Sequence, residues 1–94
     1  MNNQVINNAT LHILSKPITK TEYKKLRDIK NDSDCVLFTR DACYSLLAPH
    51  IDISSVIALD IDCEARGIKN EVINLIDYKQ WVDLALQYKN ILSW

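Results

Sequence analysis

The stretch VINLIDYKQWVDLALQY, residues 72–88, decides how this chain folds. Its opening residues Val72, Ile73, Leu75 and Ile76 form a short apolar run of the kind that makes a buried strand. Asp77 stands at the junction, an acceptor side chain suited to the first free N–H groups of a helix. Beyond it Tyr78, Trp81, Val82, Ala85 and Tyr88 recur at helical spacing and predict one apolar face. Asn90 then ends the helix, and Ile91-Leu92-Ser93-Trp94 reads as a fifth strand.

Reading outward, the same alternation repeats. Leu11, Ile13 and Leu14 make a first strand, stopped at Lys16-Pro17, because proline cannot donate to a ladder. Thr19 with Glu22 three residues on is a capping box, and it predicts a helix that buries Tyr23, Leu26 and Ile29. Asn31 to Asp34 is a turn cluster before the apolar run Cys35-Val36-Leu37-Phe38. Asp41 is expected to cap a short helix through Tyr44, Leu46 and Leu47, closed by Pro49. Ile53 opens a third run centred on Val56 to Leu59, after which Asp60 or Asp62 caps a helical turn through Cys63 and Ala65. Gly67, the one glycine, suits the left-handed exit of that turn.

Continuous apolar strands alternating with helices predict a single small α/β domain. Its sheet is doubly wound and mostly parallel, with about five strands and helices on both faces. Residues 1–9, Asn-rich and unpatterned, are expected to form a mobile tail, and residues 10–94 the domain.

Composition narrows the function classes. The chain has 94 residues, 48% of them hydrophobic, which supplies one core with apolar surface to spare for a partner. Net charge is −1, which gives no overall field for nucleic acid or an anionic membrane. The cluster Lys16, Lys20, Lys24, Lys25, Arg27 and Lys30 reads as the solvated face of the first helix. No apolar run reaches the roughly 20 residues of a membrane span. The first ten residues lack the layout of a signal peptide, so a cytoplasmic location is expected. Cys35, Cys43 and Cys63 are expected as free thiols, being odd in number with no CxxC spacing. No cofactor or metal is expected, since no glycine-rich phosphate cradle is present and His12 and His50 stand alone.

In such a sheet ligands gather beyond the C-terminal ends of the strands. That points to three loops, Thr39 to Cys43, Asp60 to Cys63, and Ile76 to Tyr78. The aspartates there are explained by capping. Cys43 and Cys63 lie near expected helix N-termini, where the dipole favours the thiolate a persulfide carrier needs.

Several segments in consistent order resemble the TusB/DsrH family of sulfur-relay proteins: Leu11-His12-Ile13-Leu14-Ser15-Lys16-Pro17, Val36-Leu37-Phe38 to Asp41, Ala58-Leu59-Asp60 to Arg66-Gly67, Ile73 to Asp77-Tyr78, and Trp94. The resemblance implies a DsrE-like fold and family-motif roles for Leu11, His12, Asp41, Arg66, Gly67, Asp77, Tyr78 and Trp94. It implies assembly with TusC-like and TusD-like subunits as a dimer of heterotrimers. Such a complex takes persulfide sulfur from a TusA-like donor and passes it to a TusE-like acceptor, for 2-thiolation of wobble uridine in tRNA. A DsrH-like place in a DsrEFH complex of sulfur oxidation is the alternative.

Within this group the sulfur-carrying cysteine belongs to the TusD/DsrE subunit, eight residues before the Gly of an Arg-Gly pair. Counting back from Gly67 gives Leu59, so the resemblance implies a non-catalytic subunit. At the first-helix position where some members carry a cysteine stands Leu26, and Ala42-Cys43 departs from the glycine common after the aspartate. Cys63 and Cys43 therefore remain outside candidates for a persulfide carrier.

Overall fold

A parallel strand cannot return to its neighbour through a tight turn, so each pair here needs a crossover. The computed structural model, which describes residues 6–94, has five strands: β1 (Ile6–Leu14), β2 (Cys35–Phe38), β3 (Ile57–Leu59), β4 (Asn74–Ile76) and β5 (Tyr88–Ser93). They form one sheet in the order β4-β3-β2-β1-β5, and every pairing is parallel. The crossovers are α1 (Lys20–Ile29), a 3-10 helix Arg40–Leu47 with a second short one at Ile53–Ser55, α2 (Asp60–Ala65) and α3 (Tyr78–Ala85). This is the small doubly wound α/β domain that the alternation predicts.

Right-handed crossovers fix which face each helix takes. From β1 to β4 the chain steps steadily in one direction, so α1, the 3-10 segments and α2 share one face. The step from β4 back across the sheet to β5 reverses direction and sends α3 to the other face. The main core lies on the first face, where Leu14, Val36, Phe38 and Ala58 from the strands meet Tyr23, Leu26, Leu46 and Cys63. Leu11, Leu37 and Leu59 alternate with these along the strands, point the opposite way, and are also buried.

Local chemistry sets the helix ends. Thr19 Oγ1 accepts from Glu22 N at 3.1 Å and Glu22 Oε1 accepts from Thr19 N at 2.9 Å, the expected capping box. Asp77 and Gln80 make the same reciprocal pair for α3, at 2.7 and 2.8 Å. Gly67, at φ +67°, closes α2: its N–H reaches Glu64 O, and Ile68 N reaches Cys63 O, both orphan carbonyls of the last turn.

Several boundaries differ from expectation. β1 starts at Ile6, so the strand takes in residues 6–9 of the expected tail, while residues 1–5 lie outside the described residues. Pairing of Ile6 with Tyr88 and of Thr10 with Asn90 satisfies the backbone there, and this outweighs the poor strand propensity of the asparagines. Tyr88 accordingly opens β5 rather than extending the face of α3, and Asn90 sits in that strand. Ile53 lies in a 3-10 turn capped by Asp52, whose carboxylate accepts from Ser54 N and Oγ. Val72 and Ile73 precede β4 in a turn held by Asn70.

Candidate functional site

The strand ends bring the three expected loops into one cleft. Thr39 and Arg40 after β2, Leu59 to Asp62 after β3, and Asp77, Tyr78 and Trp81 after β4 line a space of about 580 Å³. Asp41 does not cap the 3-10 helix. The cap position is Thr39, which makes no side-chain bond to that helix. Instead the Thr39 hydroxyl donates to Leu14 O at 2.9 Å, and Thr39 N donates to the same oxygen at 2.8 Å. Asp41 is thereby free to meet Arg66, 25 residues on, through Nε at 3.0 Å and Nη2 at 2.9 Å.

Arg66 is the hub of this end of the molecule. Its Nη1 donates to Asp62 O at 3.1 Å and stands 3.8 Å from the Asp62 carboxylate. The guanidinium carbon lies 5.9 Å from the centre of the Tyr44 ring. Hydrogen bonding to Asp41 raises the Arg66 pKa above its already high value. Asp62 also accepts from Arg40 N at 2.7 Å. Arg40 has φ +49°, a left-handed conformation uncommon outside glycine, and the Asp62 bond holds it there. Neither Asp60 nor Asp62 is the helix cap, which is Leu59. Asp62 instead ties two loops together, and Asp60 accepts from Ile61 N at 2.6 Å. Tyr78 stands at the cleft edge with its ring edge-on to Trp81, the centroids 5.4 Å apart.

The thiols lie elsewhere than a carrier requires. Cys43 and Cys63 are both buried in the main core as neighbours, and Cys43 donates to Phe38 O at 3.6 Å. Burial pushes the Cys43 pKa up strongly, and the neighbouring Cys63 and Asp62 add to it. Burial raises Cys63 as well, partly offset by its contact with Cys43. This reverses the thiolate shift expected from helix N-termini, because desolvation outweighs a short helix's dipole. Cys35 is raised too, by burial, against an opposing hydrogen bond with Tyr88.

A second cluster collects the motif residues His12 and Trp94. Trp94 Nε1 donates to His12 Nδ1 at 3.0 Å, and His12 Nε2 lies 2.9 Å from Asp34 Oδ2. An indole N–H can only donate, so Nδ1 is the acceptor and Nε2 carries the hydrogen given to Asp34. Asp34 further accepts from Thr10 N and Asn31 N. Burial would raise its pKa, but these bonds, His12 first, together hold it below the usual aspartate value. Leu11 is buried beside this group on the opposite side of β1. Asp34 has no periodicity or motif to mark it; within a turn cluster it looks like any other aspartate.

The remaining feature is apolar. No residue of α3 is buried. Trp81, Leu84 and Ala85 are half-covered, whereas Tyr78, Val82 and Leu86 are 65%, 52% and 72% exposed. With Ile91 of β5 they line an open groove of about 370 Å³. The predicted helix face is thus present, but among the described residues nothing covers its outer stripe. Among the described residues no three His, Cys, Asp or Glu side chains gather into a group that could hold a metal, and no helix is long and apolar enough to cross a membrane.

Comparison with known proteins bears on this arrangement. The family described as DsrH like protein matches residues 15–91. The chain is also similar to Protein TusB of Buchnera aphidicola subsp. Baizongia pistaciae (strain Bp), at 27% identity over 94 residues, covering 89% of this chain and 99% of that protein.

Proposed function

This chain belongs to the DsrH-like protein family, and from that premise we propose that it is a TusB-like, non-catalytic subunit of a sulfur-relay complex. The observation that carries the reading is the exposed apolar stripe of α3 and β5, Tyr78, Val82, Leu86 and Ile91, together with the burial of Cys43 and Cys63 in the core on the other face of the sheet. Exposed apolar surface of this kind suits a subunit interface. Buried, protonated thiols are poor acceptors of sulfur, because the thiolate is the nucleophile. The partners are TusC-like and TusD-like subunits in a dimer of heterotrimers, within the cytoplasm. Sulfur enters from a TusA-like donor, rests on a cysteine of the TusD-like chain, leaves to a TusE-like acceptor, and ends in 2-thiolated wobble uridine of tRNA. The similarity to a protein named TusB favours this pathway over sulfur oxidation.

The Arg66 network then has a structural task. It locks the loops after β2 and β3 to each other, which fixes the strand-end surface that a neighbour would meet. Replacing Cys35, Cys43 and Cys63 together by Ser or Ala should leave both co-purification with the TusC-like and TusD-like chains and tRNA thiolation intact. Thiolation lost while the intact-complex mass stays unchanged would overturn the non-catalytic reading. A chain that stays monomeric and ignores both co-expressed partners would overturn the subunit reading.

A further inference from the structure

Charge is unevenly spread over this chain. Six of its eleven Lys and Arg residues fall within positions 16–30, against two of its twelve acids, so a net charge of −1 conceals a basic helix on an acidic body. The fold turns part of that cluster into a concave surface. Lys20, Lys24 and Arg27 follow at intervals of four and three residues on α1, which sets them in one row on the helix. The row is about 10 Å long. The three side chains line an open cleft of about 750 Å³ that they share with Thr21 and with His50, from the turn after the first 3-10 helix. Asp28 is the one acid in its lining. Among the described residues no carboxylate approaches any of the three cations within 4.0 Å, in contrast to Arg66, which is paired on two sides.

Two kinds of partner carry the opposite charge, an acidic protein surface and a phosphate backbone. Protein interfaces deplete lysine at their centre and anchor on exposed aromatic or aliphatic side chains. This cleft has no such anchor, since its Tyr23 is buried. Phosphate oxygens, in contrast, are bound by Lys, Arg and Thr side chains of the sort lining it. We propose that the α1 cleft binds a nucleic-acid backbone through phosphodiester contacts at Lys20, Lys24 and Arg27, without reading sequence. The site stands apart from the subunit reading and does not depend on it.

The test is fluorescence anisotropy of labelled oligouridylate and oligothymidylate titrated with the full chain. Both should bind alike, with Kd of about 10⁻⁴ to 10⁻⁶ M, the range of sequence-independent binding. Three neutralised phosphates predict a log–log salt slope of about −2, hence on the order of a twentyfold loss between about 50 and about 200 mM salt. The variant K20Q/K24Q/R27Q should lose at least about tenfold in affinity and most of the salt slope. The variant K79Q/K89Q, with unchanged circular dichroism, should change by less than about twofold, since its charges lie outside the cleft. The proposal is overturned by no binding, by equal losses in the two variants, or by RNA binding without DNA binding. Polyglutamate that binds as tightly as the oligonucleotides would also overturn it and point to an acidic protein instead.

Discussion

Helices α1 and α3 begin alike and end in different surroundings. Each opens on a reciprocal capping box, Thr19 with Glu22 and Asp77 with Gln80, and each carries apolar residues at helical spacing. Yet α1 buries Tyr23 and Leu26 completely or nearly so, while α3 buries nothing. The cause lies in the winding. Helix α1 shares its sheet face with the 3-10 helix and α2, and together they close a core. Helix α3 is the one crossover running the other way, and eight residues cannot roof a five-stranded face. An amphipathic pattern says that a face is to be covered; it does not say which chain covers it.

The sharpest way to break this contrast is to truncate both stripes. Leu26→Ala should cost about 2–5 kcal/mol in denaturant unfolding, as a fully buried leucine does. Val82→Ala, half-exposed, should stay within about 0.5 kcal/mol. Similar losses for the two would mean that the outer stripe of α3 is buried in the isolated chain after all.

A smaller effect is expected at Asp34, which fastens β5 to the covered side through His12 and Trp94. Asp34→Asn should cost about 1–3 kcal/mol at neutral pH, the toll of disturbing buried hydrogen bonds to a charged group. Because the folded state lowers this carboxyl's pKa, its contribution is complete above the ordinary aspartate value near about 3.9 and is lost as pH falls through the lower folded value. A stability–pH profile should therefore be flatter on the acid side for Asp34→Asn than for the wild type.

The caps should behave as equals. Thr19→Ala and Asp77→Ala should each lose about 1 kcal/mol, because the capping bonds are local and indifferent to what the helix later packs against. A markedly smaller loss at Asp77 would show that α3 frays in the free chain. As small in stability as Val82→Ala, Leu86→Lys should shift unfolding by at most about 0.5 kcal/mol. Its expected effect is on assembly, read as loss of co-purification with the TusC-like and TusD-like chains.

What the amino-acid order reveals follows the same division. Features made by near neighbours are legible: the Thr19 box, the Asp77 cap, the Gly67 exit, and the apolar runs at Cys35 to Phe38 and at Leu75-Ile76. Features made across the fold are not. Asp41 reads as a cap until Arg66 arrives from 25 residues away to claim it. Asp34 reads as a turn residue until β1 lays His12 against it. Tyr88 continues a helical spacing, but pairing with β1 turns it into a strand. Cys43 and Cys63 look activated along the chain, and only packing shows them desolvated. His12 and Trp94 carry no chemistry legible in their spacing; the family resemblance singles them out, and the fold joins them by a hydrogen bond across 82 residues.

The strand order has a consequence for biogenesis. β1 is made early, yet one of its two neighbours is β5, residues 88–93. Until the ribosome has released that segment, one flank of β1 offers a row of unsatisfied amides and carbonyls to any passing strand. Long-range parallel pairing of this kind is also slow to form. The nascent polypeptide thus stays adhesive along this flank until residues 88–93 emerge to pair with it, an interval in which shielding by a chaperone or an assembling companion would matter.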